Sequence, residues 1–93
     1  MTRLWMITYD IADPRRLRRV AEILKGHGER VLWSVFECVL DNDALATLRQ
    51  RVGSEIDAAT DSVRWYPVCT WCRDRIQWQG GGDAAQDPPY LIV

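Results

Sequence analysis

Between Arg3 and Leu24 the sequence changes period, and that change limits the fold more than any other feature. Residues 3–9, RLWMITY, form a short run rich in aromatic and aliphatic side chains, the composition of a strand that is apolar on both faces. The run stops at Asp10. Asp13 followed by Pro14 is a helix start, a carboxylate N-cap ahead of a proline whose missing N–H is not needed in the first turn. Leu17, Val20, Ala21 and Leu24 then recur at three- and four-residue spacing, which places them on one helical face, and Gly26 and Gly28 end the segment. Arg15, Arg18 and Arg19 fall on the opposite side of that helix and Arg16 on its flank. One helix therefore serves as both core element and basic surface.

The pattern repeats downstream. Residues 30–40, RVLWSVFECVL, are β-branched and aromatic and read as a central strand that can bend into a continuation. Asp41 or Asp43 caps a second helix carrying Leu45, Leu48, Val52 and Ile56 on one face, locally weakened by Gly53. Residues 62–69, SVRWYPVC, read as a strand in which Pro67 marks an edge or bulge, because it cannot donate to a ladder. Residues 74–79, DRIQWQ, read as another. GGGDAAQDPP is a flexible linker, and the terminal YLIV has strand character without room for a turn. This order predicts an α+β, ferredoxin-like βαββαβ two-layer sandwich over residues 1–79, with 80–93 as linker and short C-terminal strand. Both helices would cover one face of the sheet. The strands carry apolar residues on both faces, so the other face calls for a partner, most simply a second copy about a twofold axis.

A chain of 93 residues lies near the lower end of sizes that sustain a core alone, which adds weight to a homodimer. No apolar run is long enough to span a bilayer, and Asp10 interrupts the N-terminal segment before a signal-type stretch develops, so the expectation is an unprocessed cytoplasmic protein. Three cysteines, an odd number, fit a reducing compartment better than a disulfide framework. The net charge of −1 argues against nucleic acid only as an average; residues 10–31 concentrate six of the twelve basic residues, and a local basic patch can hold phosphates.

Asp10 at a strand end is either a plain turn aspartate or half of a metal site. Magnesium is held by one or two carboxylates plus waters, and a twofold axis would bring two copies of Asp10 together for water activation at a phosphodiester. Four arginines without a lysine between residues 15 and 19 suit phosphate geometry, although a solvated helix face explains them too. CTWC, Cys69 to Cys72, is a single pair without His27 or Cys38 near it in sequence, which speaks against zinc or redox use. The five tryptophans fall mostly in strands and suit packing better than base stacking.

YDIADPRRLRRVAEILKGHGERVLWSVFECVL, residues 9–40, resembles the second universal family of CRISPR-associated proteins, the small subunit of the spacer-acquisition complex. The match lies in tyrosine-aspartate-isoleucine at the end of the first strand, a basic first helix, a glycine, then arginine and SVFE. The resemblance implies a ferredoxin-like homodimer in which Tyr90, Leu91 and Ile92 extend the partner's sheet, and one magnesium ion shared between two copies of Asp10. It implies metal-dependent nuclease activity on RNA or DNA, and a role as adaptor that holds prespacer duplex DNA between integrase subunits. Arg16, Arg19 and Arg30 fall where that family places basic residues, and Arg18 lies on the same helix; all are expected to bind nucleic acid, double-stranded DNA or single-stranded RNA. Tyr9, Ser34 and Phe36 are expected at the dimer interface. Leu32 departs from the pattern, standing where many members carry glutamine.

Three readings follow: a dimeric DNA adaptor, a magnesium-dependent nuclease acting through Asp10, and a ribonuclease toxin of the related virulence-associated family. His27, the only histidine, follows the first helix and offers no evident general base beside Asp10. The sequence therefore favours the adaptor with conditional nuclease activity.

Overall fold

The helix start at Asp13 forms as the sequence requires. In the computed structural model, which describes residues 1–77, 79 and 80, Asp13 caps helix α1 (Pro14–Lys25) by accepting from the Arg15 amide at 3.2 Å, and Pro14 occupies the first turn. Val20, Ala21 and Leu24 are buried along its inner face. Ahead of it runs strand β1 (Arg3–Asp10). Strands β2 (Gly28–Leu32) and β3 (Val35–Leu40) follow, then α2 (Asn42–Glu55), β4 (Ser62–Val68) and a four-residue helix α3 (Thr70–Arg73). Asp41, rather than Asp43, caps α2, accepting from the Ala44 amide at 2.7 Å.

The sheet has the order β2-β3-β1-β4 with every pairing antiparallel, the topology of a ferredoxin-like βαββαβ sandwich. Alternation along β1 sends Trp5, Ile7 and Tyr9 toward α1 and α2, where they meet Phe36, Cys38, Leu40, Val20, Leu24, Leu48 and Val52 in one core. Leu4, Met6, Thr8 and Asp10 take the other face, opposite Val68, Tyr66, Arg64 and Ser62 of β4.

Two expectations for the strands need correction. Residues 30–40 are two strands joined at Trp33 and Ser34, not one bent strand. The connection contains no glycine, proline or asparagine and no residue at positive φ, so it lacks the usual hairpin signature; a register irregularity between Arg30 and Leu32 absorbs the bend instead. Hydrogen bonds fix the corner, because Tyr9 donates its amide to the Ser34 carbonyl at 3.2 Å and its hydroxyl to the Trp33 carbonyl at 3.3 Å. Residues 74–77 form turn and irregular backbone after α3 rather than a strand, while Trp78 lies outside the described residues. The linker and the terminal segment with Tyr90, Leu91 and Ile92 also lie outside them.

Gly28 shows how closely β2 lies on β3. A Cβ there would run into the Glu37 carbonyl oxygen and the Cys38 sulfur, so only glycine lets the edge strand approach. Of the tryptophans, Trp5 and Trp65 pack against the core, whereas Trp33 and Trp71 are exposed.

Candidate functional site

The β1–α1 connection leaves the sheet at Asp10 and is tied down by a residue far along the chain. Asp61, just before β4, is buried, and its carboxylate accepts from the Ala12 amide at 3.0 Å and the Asp57 amide at 2.9 Å. The Arg16 guanidinium grips the same carboxylate as a fork, Nε to Oδ2 at 2.8 Å and Nη2 to Oδ1 at 3.2 Å. Arg16 also reaches Asp13 at 3.5 Å. This charged fork, with the amides of Asp57 and Ala12, holds the Asp61 carboxyl well below the usual carboxylate range. The clamp fixes the loop that follows Asp10.

Asp10 itself is free among the described residues. It is exposed at the end of β1, a central strand, opposite Ser62 on the face away from α1 and α2. Among the described residues no hydrogen bond or ion pair engages its carboxylate. The donor chemistry suits a share of a magnesium site, a hard oxygen with open space for waters. One chain supplies only that share, since no group of three His, Cys, Asp or Glu side chains that could hold a metal exists among the described residues.

The arginines divide into distinct roles. Arg16, expected at nucleic acid, pairs with Asp61 and keeps 23% of its side chain exposed, with both edges of its fork facing carboxylates inside the chain. Arg19 reaches Glu55 of α2 at 2.8 Å yet keeps 56% of its side chain exposed. Arg18 is exposed without a partner among the described residues, and Arg15 is 82% exposed beside Asp13. Arg18 and Arg19 line a shallow groove of about 340 Å³ between α1 and α2 together with Arg51, Glu22 and Glu55. Arg30, on edge strand β2, lies over the rings of Trp33 at 5.4 Å and Phe36 at 5.3 Å. It remains exposed.

The residues expected at a dimer interface are not all at the surface. Phe36 is fully buried and Tyr9 nearly so, their rings stacked at 6.2 Å inside the chain's own core, because both lie on the helix-covered face of the sheet. Of those among the described residues, only Ser34, at the β2–β3 corner, is partly exposed. Partial burial together with Arg51 pushes His27 toward its neutral form. Sequence reasoning missed Asp61 because Arg16 and Ala12, the partners that tie it to the β1–α1 connection, stand 45 and 49 residues away.

Comparison with known proteins follows the same lines. Residues 2–76 match the model of the family described as CRISPR associated protein Cas2. The CRISPR-associated endoribonuclease Cas2 1 of Chloroflexus aurantiacus is 42% identical over 90 residues, spanning 96% of this chain and 97% of that one. The CRISPR-associated endonuclease Cas2 2 of Thermus thermophilus is 47% identical over 66 residues, 71% of this chain and 73% of its own. The crystal structure of the hypothetical protein TT1823 from Thermus thermophilus superposes with a TM-score of 0.80 at 38% identity, covering 92% of this chain and all of that one, 100%.

Proposed function

This chain belongs to the CRISPR-associated Cas2 family, and we propose that it acts there as a homodimeric adaptor for duplex DNA that also hydrolyses phosphodiesters with magnesium at Asp10. The observation that carries the reading is the Asp10 carboxylate, exposed at a central strand end and unengaged within the described chain. Asp13 and Asp61, the acidic groups tied to the β1–α1 connection among the described residues, already serve the fold.

Two copies of Asp10 across a twofold axis would hold one magnesium ion between them. Two like charges at short range also disfavour joint ionisation unless a cation separates them. Bound magnesium supplies charge stabilisation and a more acidic water for attack on phosphorus. The chain's own residues prepare the place for it. The Asp61–Arg16 clamp, through the Ala12 amide, gives the loop after Asp10 one conformation. Arg15 and Arg18 stand exposed on the adjoining helix, where phosphates of a bound strand or duplex would be met. The relatives' names divide between endoribonuclease and endonuclease, so RNA and DNA are both candidate substrates. The integrase subunit of the acquisition complex is the proposed protein partner. The match to a CRISPR-associated family leaves the virulence-associated toxin without an observation in its favour.

The test is Asp10→Asn, assayed for magnesium-dependent cleavage, self-association, duplex binding and, with an integrase partner, prespacer integration. The expected result is loss of cleavage with the other three retained. Retained cleavage removes Asp10 from the catalytic role, and loss of integration with association and binding intact ranks enzyme above adaptor.

A further inference from the structure

Immediately after β4 the chain places two exposed thiols one helical turn apart, and nothing in the proposed nucleic-acid function uses them. Cys69 is the N-cap of α3, and its sulfur accepts from the Cys72 amide at 3.2 Å. The two thiols also act on each other, which favours the thiolate on Cys69 over one on Cys72. Both cysteines are exposed and unpaired. The two thiols stand one helical turn apart, with the Cys72 amide 3.2 Å from the Cys69 sulfur. No further ligand stands with them among the described residues, so one chain does not supply a tetrahedral zinc site.

We propose that Cys69 and Cys72 form a thiol–disulfide exchange site for low-molecular-weight disulfides, with Cys69 as the attacking thiol and Cys72 as the resolving one. The Cys69 thiolate attacks one sulfur of the small disulfide, a Cys69–S bond forms, the disulfide bond breaks and one thiolate leaves to take up a proton. Cys72 then gives up its proton and attacks the Cys69 sulfur. The Cys69–Cys72 bond forms, and the second thiolate leaves with that proton. In balance, the two cysteine thiols lose two electrons and one small disulfide becomes two thiols.

The asymmetry rests on who donates to whom. Cys69 receives hydrogen bonds from the Cys72 side chain and the Cys72 and Trp71 amides, with Arg3 adding positive charge, and these lower its thiol below the ordinary value. Cys72, with the Cys69 sulfur beside it, is raised. Cys38, buried in the core with its thiol pushed up to about 12, is the built-in silent control.

The experiment treats the full reduced chain with oxidised glutathione and follows it by intact and peptide mass spectrometry. The intact chain should end with Cys69 and Cys72 joined and no adduct, and Cys72→Ser should stop at a glutathione adduct on Cys69. Cys69→Ser should react about tenfold more slowly, and the difference between the two variants should vanish in urea, where the hydrogen bonds that create it are gone. Circular dichroism confirms that each variant is folded. An intact chain that accumulates adducts on both cysteines, equal rates for the two variants in the folded state, or an asymmetry that survives in urea would each overturn the proposal.

Discussion

Replacing Phe36 separates a core role from an interface role, because the two make different demands on protein concentration. The ring is fully buried, stacks on Tyr9 at 6.2 Å and has the Arg30 guanidinium 5.3 Å from its centroid. Truncation to alanine at such a site costs about 3–5 kcal/mol, a large part of the roughly 5–15 kcal/mol that stabilises a whole domain. Phe36→Leu is therefore the informative variant. It removes the equivalent of one or two methylenes at about 0.8 kcal/mol each, together with an aromatic pair worth about 0.5–1.5 kcal/mol, for a total near 1–3 kcal/mol. For a domain of this size that lowers the melting temperature by roughly 5–20 °C.

The assay is urea unfolding followed by tryptophan fluorescence across a wide range of protein concentration. If the lost contacts lie within the chain, the drop in stability is the same at every concentration, including those at which self-association is absent. If Phe36 is instead a contact between copies, Phe36→Leu unfolds like the parent chain when dilute and differs only where copies associate. That second outcome would refute the placement of Phe36 in the core.

Acid should weaken the fold in two separate windows. His27, whose folded-state value is lowered, contributes stability that falls away as pH drops from about its ordinary 6.5; His27→Gln should abolish that step in pH-dependent thermal melts. Asp61, whose folded-state value is depressed, contributes stability that is complete above its ordinary 3.8 and lost as pH falls further; Asp61→Asn should flatten this lower window while lowering stability at neutral pH. Gly28→Ala should destabilise by about 1–3 kcal/mol in urea titrations, since β2 must move off the Glu37 carbonyl to admit a methyl group. For duplex binding, Arg15→Ala with Arg18→Ala should reduce the slope of log affinity against log salt by about two, one for each phosphate contact, measured by fluorescence anisotropy. An unchanged slope would make both arginines a solvated face.

How much of this was legible in the sequence depended on the range of the interaction that fixed each element. The N-cap at Asp13, a cap for α2 at Asp41 or Asp43, the buried face of α1 and the end of β1 all arise from neighbours within a few residues, and those were readable. The corner at Trp33 and Ser34 was not. Its residues carry no turn chemistry, and it is held by Tyr9, which reaches it from 24 residues away. Helix α3 was missed for a related reason: Cys69 caps it through sulfur, a weak acceptor outside the usual capping set, so its start resembled the continuation of a strand. Phe36 and Tyr9 were placed at an interface by resemblance, whereas alternation along β1 and β3 puts both on the face the helices cover.

The same contrast explains why charge alone did not reveal the pairing of Arg16 with Asp61. Within α1 the arginines are equivalent by composition, and a helical wheel sets Arg16 only on the flank. What distinguishes it is a carboxylate delivered by the loop before β4, whose position depends on β4 pairing with β1 along Leu4 to Asp10. Once that pairing forms, a buried Asp61 without a cation would be an uncompensated charge, and Arg16 is the side chain close enough to neutralise it. The fold thus consumes one arginine and one aspartate as a pair and leaves Arg18 and Asp10 unengaged among the described residues. A net charge of −1 cannot reveal this, because each internal pair cancels in the sum. What remains for a phosphodiester and its cation is the charge that packing has not used, and it is these unpaired groups, rather than the density of arginines, that mark the candidate site.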